Sequence, residues 1–131
     1  ILKKQSKLIK SKPSKINIMK QIQELGYKSC DILENGNIDD YGYLLDEHWN
    51  LKRNIGDFMS NSHVDILYKE LKKNGVTGGK IIGAGGGGFL MVYVPKINSK
   101  NFKDYIEQKK LDFLKWSFYS KGSEIIFSND Q

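Results

Sequence analysis

The sequence has one cysteine, two prolines, two histidines and, among 21 basic residues, a single arginine, Arg53. One thiol excludes an internal disulfide framework and a paired-cysteine metal site, which fits a reducing cytoplasm, and Cys30 itself reads as a small apolar core residue. No apolar run approaches the length of a membrane span, so a membrane-inserted helix is not expected. An initiator Met and a signal-peptide hydrophobic region are both missing from the first residues, Ile-Leu-Lys-Lys-Gln, which predicts a fragment of a longer protein. The scarcity of arginine bears on the net charge of +6. Residues 1–28 hold eight Lys against one Glu, leaving the rest of the chain about neutral. A lysine-rich end without planar guanidinium forks reads as a solvated or partner-covered segment before it reads as a nucleic-acid site.

What is present is an ordinary globular composition: 131 residues, 39% hydrophobic and 27% charged. One domain over residues 1–131 is expected, large enough to bury a core unaided, with residues 1–12 poorly ordered. From Ser14 the positions Ile18, Ile22, Leu25 and Leu33 follow a helical stripe up to Asn35-Gly36-Asn37, weakened at Gly26. Asn37 is a natural N-cap for a second helix, with Asp39 and Asp40 in its first turn and Tyr41, Leu44, Leu45, His48, Leu51 and Ile55 as its stripe. Ser62 with Asp65 resembles a capping box for a third helix carrying Val64, Leu67, Tyr68 and Leu71, closed by Gly75. Asn98-Ser99 caps a fourth helix through Phe102, Tyr105 and Ile106.

Eight of the thirteen glycines fall within residues 75–88, a density that filler does not explain. Lys80-Ile81-Ile82 and Phe89 to Val94 are β-branched and aromatic runs, so two strands enclose a bare tip, Gly83 to Gly88, and Pro95 ends the second. Leu114 to Tyr119 and Glu124 to Phe127 read as a further pair of strands around Lys121-Gly122-Ser123. These elements predict an α+β fold, a two-layer sandwich with a four-stranded antiparallel sheet and helices on one face. Backbone freed of Cβ atoms offers N–H groups to a phosphate or sugar oxygen, which is the physical case for a binding loop at Gly83, Ala84, Gly85, Gly86, Gly87 and Gly88. The nucleotide motifs fail, since the G-x-G-x-x-G match at Gly83, Gly85 and Gly88 leads into a strand and not a helix, and no Lys-Ser/Thr follows.

Gly79 to Phe89 strongly resembles the third conserved motif of the galactokinase, homoserine kinase, mevalonate kinase and phosphomevalonate kinase (GHMP) superfamily. Asp46-Glu47-His48-Trp49-Asn50-Leu51-Lys52-Arg53, then Ser60-Asn61, then Gly78-Gly79-Lys80 are most similar to its heptose 7-phosphate kinase and fucokinase-like group. The resemblance implies a ferredoxin-like C-terminal lobe whose glycine loop walls a cleft shared with an N-terminal lobe of the same parent. It further implies a cytoplasmic kinase that phosphorylates a sugar or sugar phosphate at the anomeric hydroxyl, above all D-glycero-D-manno-heptose 7-phosphate, with ATP and Mg2+ held mainly by the other lobe. The family's phosphate loop and the segment bearing its catalytic Asp find no match here. No catalytic residue and no metal ligand is therefore expected in this chain, which alone should be inactive.

Candidate substrate-binding residues are Trp49, Lys52, Arg53 and Lys80, each with a plainer reading. Trp49 serves equally as a packing residue between lobes, and the three cations serve as solvated surface. His48, on the apolar stripe, reads as a hydrogen-bonded core histidine. Two rival classes remain open at this stage: a ferredoxin-like RNA-binding module, from a loose RNP1 echo at Gly86 to Tyr93, and a regulatory lobe without catalysis.

Overall fold

The computed structural model describes residues 2–83, 88–114, 116–117 and 119–124. Two helices open the chain, α1 (Leu2–Ser11) and α2 (Pro13–Asn35). They are separate because Lys12 is extended, as the residue before a proline tends to be, while Pro13 takes the first helical position, where its missing N–H costs nothing. Residues 2–11 are helical, and α2 runs through Gly26 without a break. Of the α2 stripe only Leu25 is buried, and Leu33 is exposed. Cys30 is also exposed, with its Sγ 3.5 Å from Glu34 Oε1, so it is not the core residue expected.

Helix α3 (Ile38–Arg53) starts as its sequence requires, with the Asn37 side chain accepting from Asp39 N at 3.1 Å. Helix α4 (Ser62–Lys73) is capped one residue earlier than expected: Asn61 Oδ1 accepts from Val64 N at 3.0 Å. Asp65, freed from a capping box, accepts instead from Ser60 Oγ at 2.7 Å. The hairpin follows, with β1 (Gly78–Ile82) antiparallel to β2 (Phe89–Tyr93). Helix α5 (Ser99–Lys109) comes next, and Asn98 uses its amide on the Gly75 carbonyl at 3.1 Å and not on the helix end.

Strand alternation sorts the hairpin into two faces. Ile81, Leu90 and Val92 face the main core, where Leu71, Val76, Phe102 and Tyr105 from α4 to α5 meet Trp49 and Tyr68. Gly78, Lys80 and Ile82 lie on the opposite face with their cross-strand partners Tyr93, Met91 and Phe89. That second face turns toward α3 at its base: Tyr93 donates its hydroxyl to Asp39 at 2.9 Å and meets Tyr41 edge to face at 6.5 Å. The architecture is α+β. Among the described residues the sheet has two strands; of the strand expected over 114–119, residues 114, 116, 117 and 119 are described and carry no strand, while 115 and 118 lie outside the described residues. Of the returning strand expected at 124–127, only Glu124 falls within the described residues.

The tightest contact is backbone against backbone. A Cβ on Gly78 would lie 1.7 Å from the Gly42 carbonyl oxygen and 2.8 Å from Asp46 N, and a Cβ on Gly42 would meet Thr77 Oγ1 at 2.0 Å. Neither neighbour at Gly78 is a flexible side chain, so Gly78→Ala should destabilise the chain by roughly 3 kcal/mol. Gly26→Ala, which meets nothing within 4 Å in a helix interior, should instead stabilise it by about 0.5 to 1 kcal/mol. Urea unfolding of the two variants, read as midpoint shifts of opposite sign, checks both.

Candidate functional site

The glycine tip is entered and left through left-handed backbone, with φ +121° at Gly83 and +112° at Gly88. A Cβ at Gly88 would also stand 2.7 Å from the Ile82 carbonyl oxygen. Glycine is therefore required at both ends of the loop, whatever the loop binds. Ala84, Gly85, Gly86 and Gly87 lie outside the described residues.

Below the tip, the candidate residues separate onto two flanks of α3. Trp49 faces inward, 1% exposed, packed with Tyr68 and Ile81, and its Nε1 has no hydrogen-bond partner among the described residues. Arg53 lies on the flank toward α4, where its guanidinium pairs with Asp65 at 3.0 Å. On that same flank Asp46 accepts from the Tyr68 hydroxyl at 2.6 Å and pairs with Lys72 at 2.6 Å. Burial, and then the Asp46 bond, push the Tyr68 phenol well above its ordinary range, so it remains a donor. A polar hollow of about 740 Å³ opens beside Arg53, lined by Asn50, Asn54, Ser60, Asn61 and Asp65.

The other flank has a different character. His48 and Lys52 are one helical turn apart and so share a face of α3, and Lys80 of β1 acts electrostatically on both. All three are half-buried, and among the described residues neither lysine has a carboxylate partner. Burial first, then Lys80, pushes the Lys52 ammonium down from its ordinary value. Burial, then Lys80, then Lys52, pushes His48 down to about 4. The imidazole is thus neutral at pH 7, and its Nδ1 is buried without a partner among the described residues, where a hydrogen-bonded core histidine was expected. Structure therefore brings together Lys52 and Lys80, adds His48 to them, and sends Trp49 and Arg53 elsewhere. The i,i+4 spacing of His48 and Lys52 was legible in the sequence; their meeting with Lys80, which depends on how α3 crosses β1, was not.

A glycine-tipped hairpin framed by helices, with cations below the tip that no carboxylate among the described residues meets, defines an α+β domain. Residues 31–112, from the end of α2 through α5, match the family model described as GHMP kinases C terminal, and the chain belongs to that family. It is 34% identical over 77 residues to a bifunctional fucokinase/GDP-fucose pyrophosphorylase of Arabidopsis thaliana, an alignment covering 59% of this chain and 7% of that protein. It is 26% identical over 107 residues to a D-glycero-alpha-D-manno-heptose 7-phosphate kinase of Campylobacter jejuni subsp. jejuni, covering 82% of this chain and 32% of the kinase. The chain thus spans about a third or less of the length of these curated relatives. Among the described residues no helix is long and apolar enough to cross a membrane.

The His48 shift has a sign that can be checked. An unfolded histidine takes up its proton near 6.5 and the folded one only near 4, so falling pH favours the unfolded chain across that window. Stability should fall between pH 7 and pH 5, a range in which ordinary carboxylates contribute little, and His48→Gln should flatten that slope in guanidinium unfolding at the two pH values.

Proposed function

We propose that this chain is the C-terminal, ferredoxin-like lobe of a cytoplasmic ATP-dependent sugar kinase that phosphorylates an anomeric hydroxyl, with D-glycero-D-manno-heptose 7-phosphate as its substrate. The observation that carries the proposal is the glycine hairpin, left-handed at both ends, lying inside the segment that matches the kinase family. In this reading the loop Gly83 to Gly88 forms one wall of a cleft whose other wall is an N-terminal lobe, and Lys52 and Lys80 face the sugar phosphate. The sugar hydroxyl attacks the γ-phosphorus of ATP, ADP leaves, and the hydroxyl proton passes to a base outside this chain. In this reading Mg2+ is held mainly by the other lobe.

A second reading is a kinase for an unphosphorylated sugar, favoured by the likeness to the bifunctional plant protein whose name includes fucokinase. The two differ in whether the substrate brings an anion of its own. The test is ATP turnover by the whole protein that carries this domain, offered heptose 7-phosphate or fucose, with products read by phosphorus NMR. Formation of the 1,7-bisphosphate supports the first reading; turnover of fucose alone transfers the assignment to the second, and turnover of neither removes both. Gly88→Ala, which forces a Cβ against Ile82, should lower turnover roughly 10- to 100-fold through misplacement of the loop.

A further inference from the structure

Among the described residues, the cations that tie α3 to α4 are balanced: Arg53 by Asp65, Lys72 by Asp46. Lys52 and Lys80 break that pattern: Gly78 against Gly42 and Ile81 against Trp49 bracket Lys80 along α3 beside the His48–Lys52 face, and neither half-buried ammonium has a carboxylate among the described residues. Like charges so placed repel, and the repulsion grows as water is withdrawn. Beside them is a half-buried imidazole with an unpartnered Nδ1. The face continues toward the glycine tip through Ile82 and Phe89, 48% and 65% exposed, which offer an apolar shelf next to the charges. Lys80 stands three residues, roughly 10 Å, from Gly83.

We infer that Lys52 and Lys80 form a binding site for a phosphate monoester dianion, and that His48 is its proton-linked third member, taking up a proton when the anion binds. The anion reverses the sign of the field at the imidazole: two cations that repel the proton are neutralised by a dianion that attracts it. The charges acting on the ring are Lys80 from β1 and Lys52 from α3 itself, and among the described residues none from α2, α4 or β2 contributes. Protonation also turns both ring nitrogens into donors, so the site gains positive charge when an anion is there to meet it. The terminal phosphoryl dianion belongs either to the monoester of a phosphorylated sugar or to the anhydride chain of the donor nucleotide. Assignment to the sugar rests on the proposed function, whereas the existence of the anion site does not.

Two histidines make the experiment clean, because exposed His63 is an internal control. The ring resonances of the 131-residue chain are followed by NMR from about pH 7.5 to about 3, without anion and with saturating sulfate, which keeps its charge across that range. The His48 midpoint should rise by about one pH unit or more with sulfate while His63 stays in place. Inorganic phosphate should displace sulfate. Lys52→Gln and Lys80→Gln keep most of each stem and remove the charge; each should weaken anion binding by about tenfold and raise the His48 midpoint in the anion-free chain. Absence of a saturable His48 response, or unchanged affinity in the double variant with native NMR dispersion, overturns the site. Glucose 6-phosphate and ATP serve as competing probes for the carrier. Competition by the sugar phosphate supports its assignment to the sugar, and competition by ATP alone overturns that assignment. Failure of the kinase assay with a positive sulfate titration would remove the proposed function and leave the anion site standing.

Discussion

Gly78 pressed against Gly42 is the contact on which the arrangement depends. With no side chain on either residue, the β1 backbone comes up to the α3 carbonyls at a distance any Cβ would forbid. That approach fixes how far along α3 the hairpin begins, and the stiffness of strand and helix carries the register to the tip. Lys80 follows Gly78 by one pleat on the same face, and His48 and Lys52 follow Gly42 by about two and three turns. The basic cluster is therefore a consequence of a packing decision made at the other end of the hairpin.

The two flanks of α3 differ in how their charges are met. Toward α4, each cation has an acid and each acid more than one donor: Asp46 receives Tyr68 and Lys72, and Asp65 receives Ser60 and Arg53. Satisfied in this way, that flank holds α3 and α4 in register and has little left for a ligand. Toward Lys80 of β1, no carboxylate among the described residues meets the cations. Trp49, between the flanks, fills the core and leaves its indole N–H without a partner among the described residues.

Much of this was legible in the chain. The stripes of α3, α4 and α5, the Asn37 cap, the hairpin and its glycine tip all follow from periodicity and local turn chemistry, signals carried within a few residues. The family was legible for a related reason: its motif is one continuous run, Gly79 to Phe89, whose glycines are required by backbone shape. Errors fell where a local signal had two outcomes. Ser62 and Asn61 can both cap, and Asn61 does; Cys30 belongs in a core by type, yet its turn of α2 faces out; alternation in the stretch after α5 lacks a partner strand among the described residues.

The sequence by itself determined the class of fold, the order of helices and hairpin, the need for glycine at the tip, and the resemblance that led to the kinase family. Only the tertiary structure decided which of four candidate residues share a site. Trp49, Lys52 and Arg53 are neighbours in sequence, but 100° per residue turns them to different surroundings, and the identity of each surrounding depends on β1 and α4, which are far away along the chain. Periodicity states which residues share a helix face; it cannot state what that face meets. Lys80 joining His48 and Lys52, and Asp65 taking Arg53, are long-range pairings set by the close approach of two glycines.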